Sequence, residues 1–245
     1  MKTTTLSTAF LLMIACGDPV EETGGDTGVI GETDTDTDTD TDTDPGPTNL
    51  LGNPGFEVWT DDSNFAWGSF VTIGAEFNVV GDYTPWAWVG TGDTLVGGGT
   101  LTAPEGTKVV NLHGFEGSTD DDPNTTAVFQ TYQNSTFPEG TSLTLTGKGY
   151  VSSGDPINVA NTSGYLFFKF FADGFAYIGI EKSAVTLNST TTADTWLDMT
   201  VTATVPMGAT IVQAGVEFNE CAGGTGGGCT NSGAVYFDDL VLVQN

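Results

Sequence analysis

Two stretches, Asn53-Pro54-Gly55-Phe56-Glu57 and Val235-Tyr236-Phe237-Asp238-Asp239-Leu240, bracket the part of this chain that can fold. The first offers a main-chain carbonyl at Gly55 and a carboxylate at Glu57. The second sets two adjacent carboxylates, Asp238 and Asp239, in a run that is otherwise apolar, β-branched and aromatic. A carboxylate carried into a buried strand needs a compensating charge. Ca²⁺ supplies one by collecting about 6 to 8 oxygen ligands, carboxylates and main-chain carbonyls alike, from distant parts of a chain. If the first and last strands are neighbours, such an ion ties the two ends of the domain together. Apolar residues occupy both faces of the last run, so its periodicity leaves either Asp238 or Asp239 as the ligand.

Between the brackets, short runs rich in Val, Ile, Phe, Tyr and Thr alternate with clusters of Gly, Asn, Asp and Pro. Strands are expected over Phe70 to Ile73, Lys108 to Leu112, Ala127 to Tyr132, Ser142 to Thr146 and Tyr165 to Phe171. Further strands are expected over Ala176 to Glu181, Trp196 to Val205, Thr210 to Phe218 and Val235 to Val243. Leu143 and Leu145 share one parity, as do Met199, Val201 and Ala203, a period of two that marks strands with one buried and one wet side. No segment carries a helical stripe. The fold class that follows is all-β: two antiparallel sheets packed face to face. Residues 49–245 of the 245-residue chain, 38% of which is hydrophobic, are enough for one such domain with a substantial core.

The two brackets, with Pro104-Glu105-Gly106-Thr107-Lys108-Val109-Val110-Asn111-Leu112 between them, resemble the galactose-binding-like jelly rolls. This β-sandwich group includes many carbohydrate-binding modules attached to cellulases and xylanases. Similarity extends to Ala127-Val128-Phe129-Gln130, to Trp196 with the strand ending at Pro206, and to the terminal strand. The resemblance implies a jelly-roll β-sandwich over residues 49–245 and a structural Ca²⁺ held by the Gly55 carbonyl, Glu57, Glu105, the Lys108 carbonyl and Asp238. It also implies a module that captures an oligo- or polysaccharide without chemistry. A structural or adhesive surface domain, binding protein or envelope, is the alternative.

A sugar exposes apolar C–H faces that stack on aromatic rings and hydroxyls that pair with amides and carboxylates. Tyr83-Thr84-Pro85-Trp86-Ala87-Trp88 is the richest region for such a site, because Trp86 and Trp88 share one side when extended. The competing use of those two rings is to fill a core edge. Trp67, Asn111, Gln130 and Tyr132 come from segments that can share a concave face, whereas Trp59 and Trp196 are expected to pack against the sandwich. A concave-face site and a site in the loops at one end both stay open.

The remaining features concern export and what is excluded. Met1 to Cys16 reads as an export leader too short to span a bilayer. Leu12-Met13-Ile14-Ala15-Cys16 resembles a bacterial lipobox. That implies lipid on Cys16 and, with Gly17 following, an outer-membrane or cell-surface lipoprotein of a Gram-negative-type bacterium that touches membrane through this anchor alone. An ordinary cleaved signal peptide is the alternative. Residues 17–48, with a Thr-Asp repeat from Thr33 to Asp44, bury too little to offset their ordering entropy and form a disordered acidic tether. Five Lys+Arg against 32 Asp+Glu, with no arginine, argue against nucleic acid or an anionic membrane surface as partner. Cys221 and Cys229 flank a glycine-rich loop and are expected to form a disulfide, contributing about 2–3 kcal/mol by loop closure. His113, the one histidine, sits at a strand end, and no G-x-S-x-G or H-E-x-x-H motif occurs, so no catalytic residue is assigned.

Overall fold

The computed structural model describes residues 48–57, 67–73, 86–95, 98–113, 124–220 and 233–245. Ten strands follow in order: β1 (Gly68–Ile73), β2 (Trp86–Gly90), β3 (Lys108–His113), β4 (Asn124–Gln133), β5 (Ser142–Tyr150), β6 (Ser163–Ala172), β7 (Ala176–Lys182), β8 (Leu197–Thr204), β9 (Ile211–Glu220) and β10 (Ala234–Gln244). They form two five-stranded antiparallel sheets, a front sheet ordered β1-β4-β9-β6-β7 and a back sheet ordered β2-β3-β10-β5-β8. The fold is the expected β-sandwich.

The alternation seen in the sequence is the reason for the layers. Leu143 and Leu145 on β5, and Met199, Val201 and Ala203 on β8, are buried, while Thr200 and Thr202 between them face solvent. Central strands behave differently. Every residue of β9 from Ile211 to Phe218 is buried, because side chains of one parity meet the back sheet and those of the other parity are hemmed in by neighbours on β4 and β6. Leu166, Phe168, Val216 and Phe218 meet Val110, Leu112 and Phe237 in one core. Most strands run one to four residues beyond the expected ends, since ladder hydrogen bonds continue past the last apolar residue. The short strand β2 was not expected as a separate element. It pairs with the β3 edge, Trp86 opposite Leu112 and Trp88 opposite Val110.

The two bracketing stretches are neighbours. The Leu50 amide bonds the Leu242 carbonyl at 2.9 Å, and the Asn49 side chain donates to Leu240 O at 2.8 Å while accepting from the Leu242 amide at 2.9 Å. The β10–β5 register shifts between Asp238 and Val241, where Asp239 takes a left-handed φ of 52°. Asn49 satisfies backbone groups at this irregularity, which is why an amide side chain stands at the domain's first position.

Candidate functional site: an open cleft on the front sheet and a buried acid at the strand ends

The outer faces of the two sheets differ. On the back sheet, Leu95, Leu101 and Ala103 of the loop after β2 pack onto Val109, Tyr150 and Tyr236 and cover the face. Trp196 closes this cover, its ring 5.1 Å from Tyr150 and its Nε1 donating to Thr102 O at 3.0 Å. The front sheet has no such cover among the described residues. Its outer face is a cleft of about 800 Å³ crossing β4, β9, β6 and β7.

The cleft floor is built by parity. Gln213, Gly215 and Glu217 of β9 share the outer side, with Gly215 opposite Phe129 and Phe167, and Glu217 opposite Ala127 and Tyr165. A Cβ on Gly215 would sit 2.7 Å from the Phe129 Cα, so only glycine permits this approach of β4 to β9. Glu217 is 3% exposed, and both its oxygens are engaged, Oε1 by the Tyr165 hydroxyl and Oε2 by the Lys169 ammonium. Lys182 donates to the Tyr165 hydroxyl at 2.6 Å and lies 3.9 Å from that ring's centroid. Burial, then Glu217, push the Tyr165 phenol far above its ordinary range, so it stays protonated and donating. Burial pulls the Lys182 ammonium below its ordinary value, with Glu217 opposing and Lys169 adding to the fall.

One end of the cleft is an aromatic wall. The Phe171 ring stands 5.8 Å from Phe175 and 5.9 Å from Tyr177, both pairs edge to face. Phe175 and Tyr177 are 57% and 60% exposed, unusual for rings of their size at the edge of a packed sheet. The local chain explains this: Asp173-Gly174-Phe175 is a 3-10 turn in which Gly174 (φ 71°) and Phe175 (φ 62°) are both left-handed. A phenylalanine there costs on the order of 1 kcal/mol, and it holds the ring out over the cleft instead of in the core.

The second constellation lies where the bracketing stretches meet. Asp238 is fully buried; its Oδ2 accepts the Glu105 amide at 3.1 Å, and its Oδ1 has no hydrogen-bond partner among the described residues. Burial raises its pKa from 3.8 to about 7, with the Glu105 and Asp239 amides pulling it down and the Glu105 and Asp239 charges pushing it up. Of the two adjacent acids, Asp238 points inward and Asp239 is only half-buried. Glu105 Oε2 lies against Gly55, 3.1 Å from where a Cβ would stand. Glu57 is turned to the turn before β3: Oε1 accepts the Thr107 and Lys108 amides, each at 2.7 Å, and Oε2 accepts the Thr107 hydroxyl at 2.9 Å. Desolvation raises its pKa, but these bonds outweigh it and leave the value lowered. Gly106 (φ 58°) makes room, since a Cβ there would sit 2.9 Å from the Glu57 Cγ. Among the described residues no three acidic, histidine or cysteine side chains converge as a metal cluster. Any ion here would rest on two carboxylates, Asp238 and Glu105, plus main-chain carbonyls.

The structure thus places Gly55, Glu57, Glu105, Lys108 and Asp238 together, with Glu57 bracing the turn and the Lys108 ammonium donating to Glu57 O at 3.3 Å. Of the expected sugar residues, Trp67, Asn111, Gln130 and Tyr132 lie elsewhere than the cleft. Trp67 is buried against Phe56, its Nε1 bonded to Asn53 O at 3.0 Å. Gln130 clamps Gly52 through both its amide atoms, Asn111 donates to Val235 O, and the Tyr132 hydroxyl is shared between Leu50 O and Gln130. These four side chains hold the sandwich and its first segment together. Burial raises the Tyr132 phenol to about 12. Trp86 and Trp88 are described in backbone only, and Tyr83, Cys16, Cys221 and Cys229 lie outside the described residues. The sequence did carry a signal for the cleft: Lys169 interrupts the aromatic run Tyr165-Leu166-Phe167-Phe168-Lys169-Phe170-Phe171, and Gln213 and Glu217 share one parity in the otherwise apolar β9.

The fold and cleft together define a jelly-roll β-sandwich domain. No family model and no curated protein matches the chain. Among solved structures it is similar to the enzymatically active domain of tailspike protein 4 of bacteriophage CBA120, at 12% identity and a TM-score of 0.44 over 80% of this chain and 21% of that one. It is similar to a carbohydrate-binding module of the β-sandwich superfamily, at 14% identity and a TM-score of 0.44 over 81% of this chain and 62% of that one. A third is the C-terminal family 22 carbohydrate-binding module of Clostridium thermocellum Xyn10B, at 11% identity and a TM-score of 0.41 over 75% of this chain and 89% of that one. Identities this low concern the fold alone.

Proposed function

We propose that the domain is a non-catalytic carbohydrate-binding module whose ligand lies in the front-sheet cleft. The observation that carries this reading is the pairing of an exposed aromatic wall, Phe175 and Tyr177, with a fixed polar floor of Tyr165, Lys169, Lys182, Gln213 and Glu217. Rings meet the C–H faces of a sugar, and preoriented donors and acceptors meet its hydroxyls. Glycoside hydrolysis requires two carboxyl groups across a cleft. Glu217 is the one carboxylate lining this cleft among the described residues, and both its oxygens are engaged, which supports binding over chemistry.

A structural Ca²⁺ fits the second constellation. Asp238 offers a buried oxygen without a partner among the described residues, Glu105 a second carboxylate that lies against Gly55, and the Gly55 and Lys108 carbonyls would complete the set. Bound there, the ion would supply charge compensation for Asp238 and link the first segment to the last strand. The tether and a lipidated Cys16 would hold the module at the cell surface.

The test is a screen of the purified chain, in saturating Ca²⁺, against soluble and insoluble polysaccharides, with Phe175→Ala/Tyr177→Ala alongside. Binding that falls at least tenfold in the folded double variant, a loss of about 1.4 kcal/mol, supports the cleft. Binding that survives it moves the site elsewhere. No binding across the panel favours an adhesive surface domain.

A further inference from the structure

Charge is scarce and unevenly spent in this chain. Five lysines face 32 acidic residues, for a net charge of −27. Lys148 pairs with Asp198, and Lys169 pairs with Glu217. Lys182 differs: its donor goes to a neutral phenol, the Tyr165 hydroxyl, and no carboxylate pairs with it among the described residues. An ammonium has three donors and no acceptor, and among the described residues one of the three is taken, by the Tyr165 hydroxyl. Among the described residues the cleft is lined by two ammonium groups, Lys169 and Lys182, and one carboxylate, Glu217, which is paired with Lys169.

We propose that the cleft selects an anionic glycan, one carrying carboxylate or sulfate groups, and that Lys182 is the residue that meets the anion. The inference rests on the carbohydrate reading above and deepens it. Tyr165 positions the ammonium from below through its hydroxyl and ring face, an arrangement that preorients the charge and shortens the conformational search on binding. Four residues of β7 lie between Tyr177 and Lys182, about 17 Å of strand, so a ligand touching both the aromatic wall and the ammonium must be several sugar units long. The acidic exterior does not prevent this at physiological ionic strength, where unbound charges beyond about 8 Å are largely screened while the contact itself is not.

The experiment is calorimetric titration of the purified chain at 0.15 M salt, about the physiological value. The probes are oligogalacturonate, a sulfated chondroitin oligosaccharide and neutral xylo- and cello-oligosaccharides of equal length. The expected result is at least tenfold tighter binding of one or both anionic probes than of the neutral ones, with that preference lost in Lys182→Gln and kept in Lys182→Arg. The two anionic arms tell carboxylate from sulfate, and a melting curve on each variant verifies the fold. Equal binding of neutral and anionic probes, or a preference that survives Lys182→Gln, overturns the charge assignment and leaves the carbohydrate reading intact. Absence of binding by every probe overturns both.

Discussion

Replacing Asp238 by asparagine should reverse its effect on stability depending on whether Ca²⁺ is present. In the metal-free protein, burial lifts this acid from 3.8 to about 7. A raised carboxyl pKa means that the folded state holds the proton more tightly than the unfolded chain does. The contribution is therefore fully present below pH 3.8 and is lost as pH rises through about 7. The shift is about three pKa units at 1.36 kcal/mol each, which sets a ceiling of about 4 kcal/mol between pH 4 and pH 8. For a domain of this size that is roughly 10 °C in Tm. The assay is thermal melting from pH 4 to pH 8 of wild type and Asp238→Asn, each in chelator and in millimolar Ca²⁺. Taking the difference between the two proteins cancels the other acids. In chelator the variant should gain on wild type as pH rises and be the more stable of the two at pH 8. In Ca²⁺ the order should invert, because the ion compensates a charge that asparagine lacks. A wild-type-minus-variant difference that is flat with pH in chelator and unmoved by Ca²⁺ would refute the buried-acid argument.

Other expectations follow from individual contacts. Glu57→Ala removes the acceptor for two amides and a hydroxyl in the turn before β3 and should cost about 1–3 kcal/mol in chemical denaturation, with faster hydrogen exchange at Thr107 and Lys108. Because the Glu57 pKa is lowered, its stabilisation is present above 4.5 and should fade as pH falls through the folded value, the opposite sense to Asp238. Glu217→Ala strands the nearly buried Lys169 ammonium and should cost about 3–5 kcal/mol, much of it recovered in Glu217→Leu/Lys169→Met, as read from urea midpoints. Gly215→Ala should destabilise by about 1–3 kcal/mol through backbone crowding against β4, measured the same way.

The sandwich was legible in the sequence because a period of two survives wherever one face of a strand is wet, as on β5 and β8. It faded on β6 and β9, where the side chains of both parities are largely buried and mostly apolar, yet both still read as strands. The meeting of Asn53–Glu57 with Val235–Leu240 was also readable, since paired acids in apolar strands demand compensation. What composition concealed was the front-sheet cleft. Tryptophan drew attention to Trp86 and Trp88 and, in second place, to Trp67, whose ring packs against Phe56 with its indole committed to Asn53. The wall of the cleft is made instead by Phe175 and Tyr177, which look like core residues in one dimension. They are exposed by two successive left-handed residues in a three-residue turn, a feature of backbone geometry that hydrophobicity does not encode.

Asn49 also bears on how the domain carries load. Tension applied to the chain before it enters the fold at this residue, whose side chain grips Leu240 and Leu242 on the last strand. A load on the outer face of the front sheet passes from β7 through β6 to β9, crosses the packed interior to the back sheet, and reaches Asn49 through β10. The contacts between Asn49 and β10 begin at Leu240, two residues along the strand from Asp238. An ion bound to Asp238 and the Gly55 carbonyl would act as a rivet there, raising the force at which the first segment peels away.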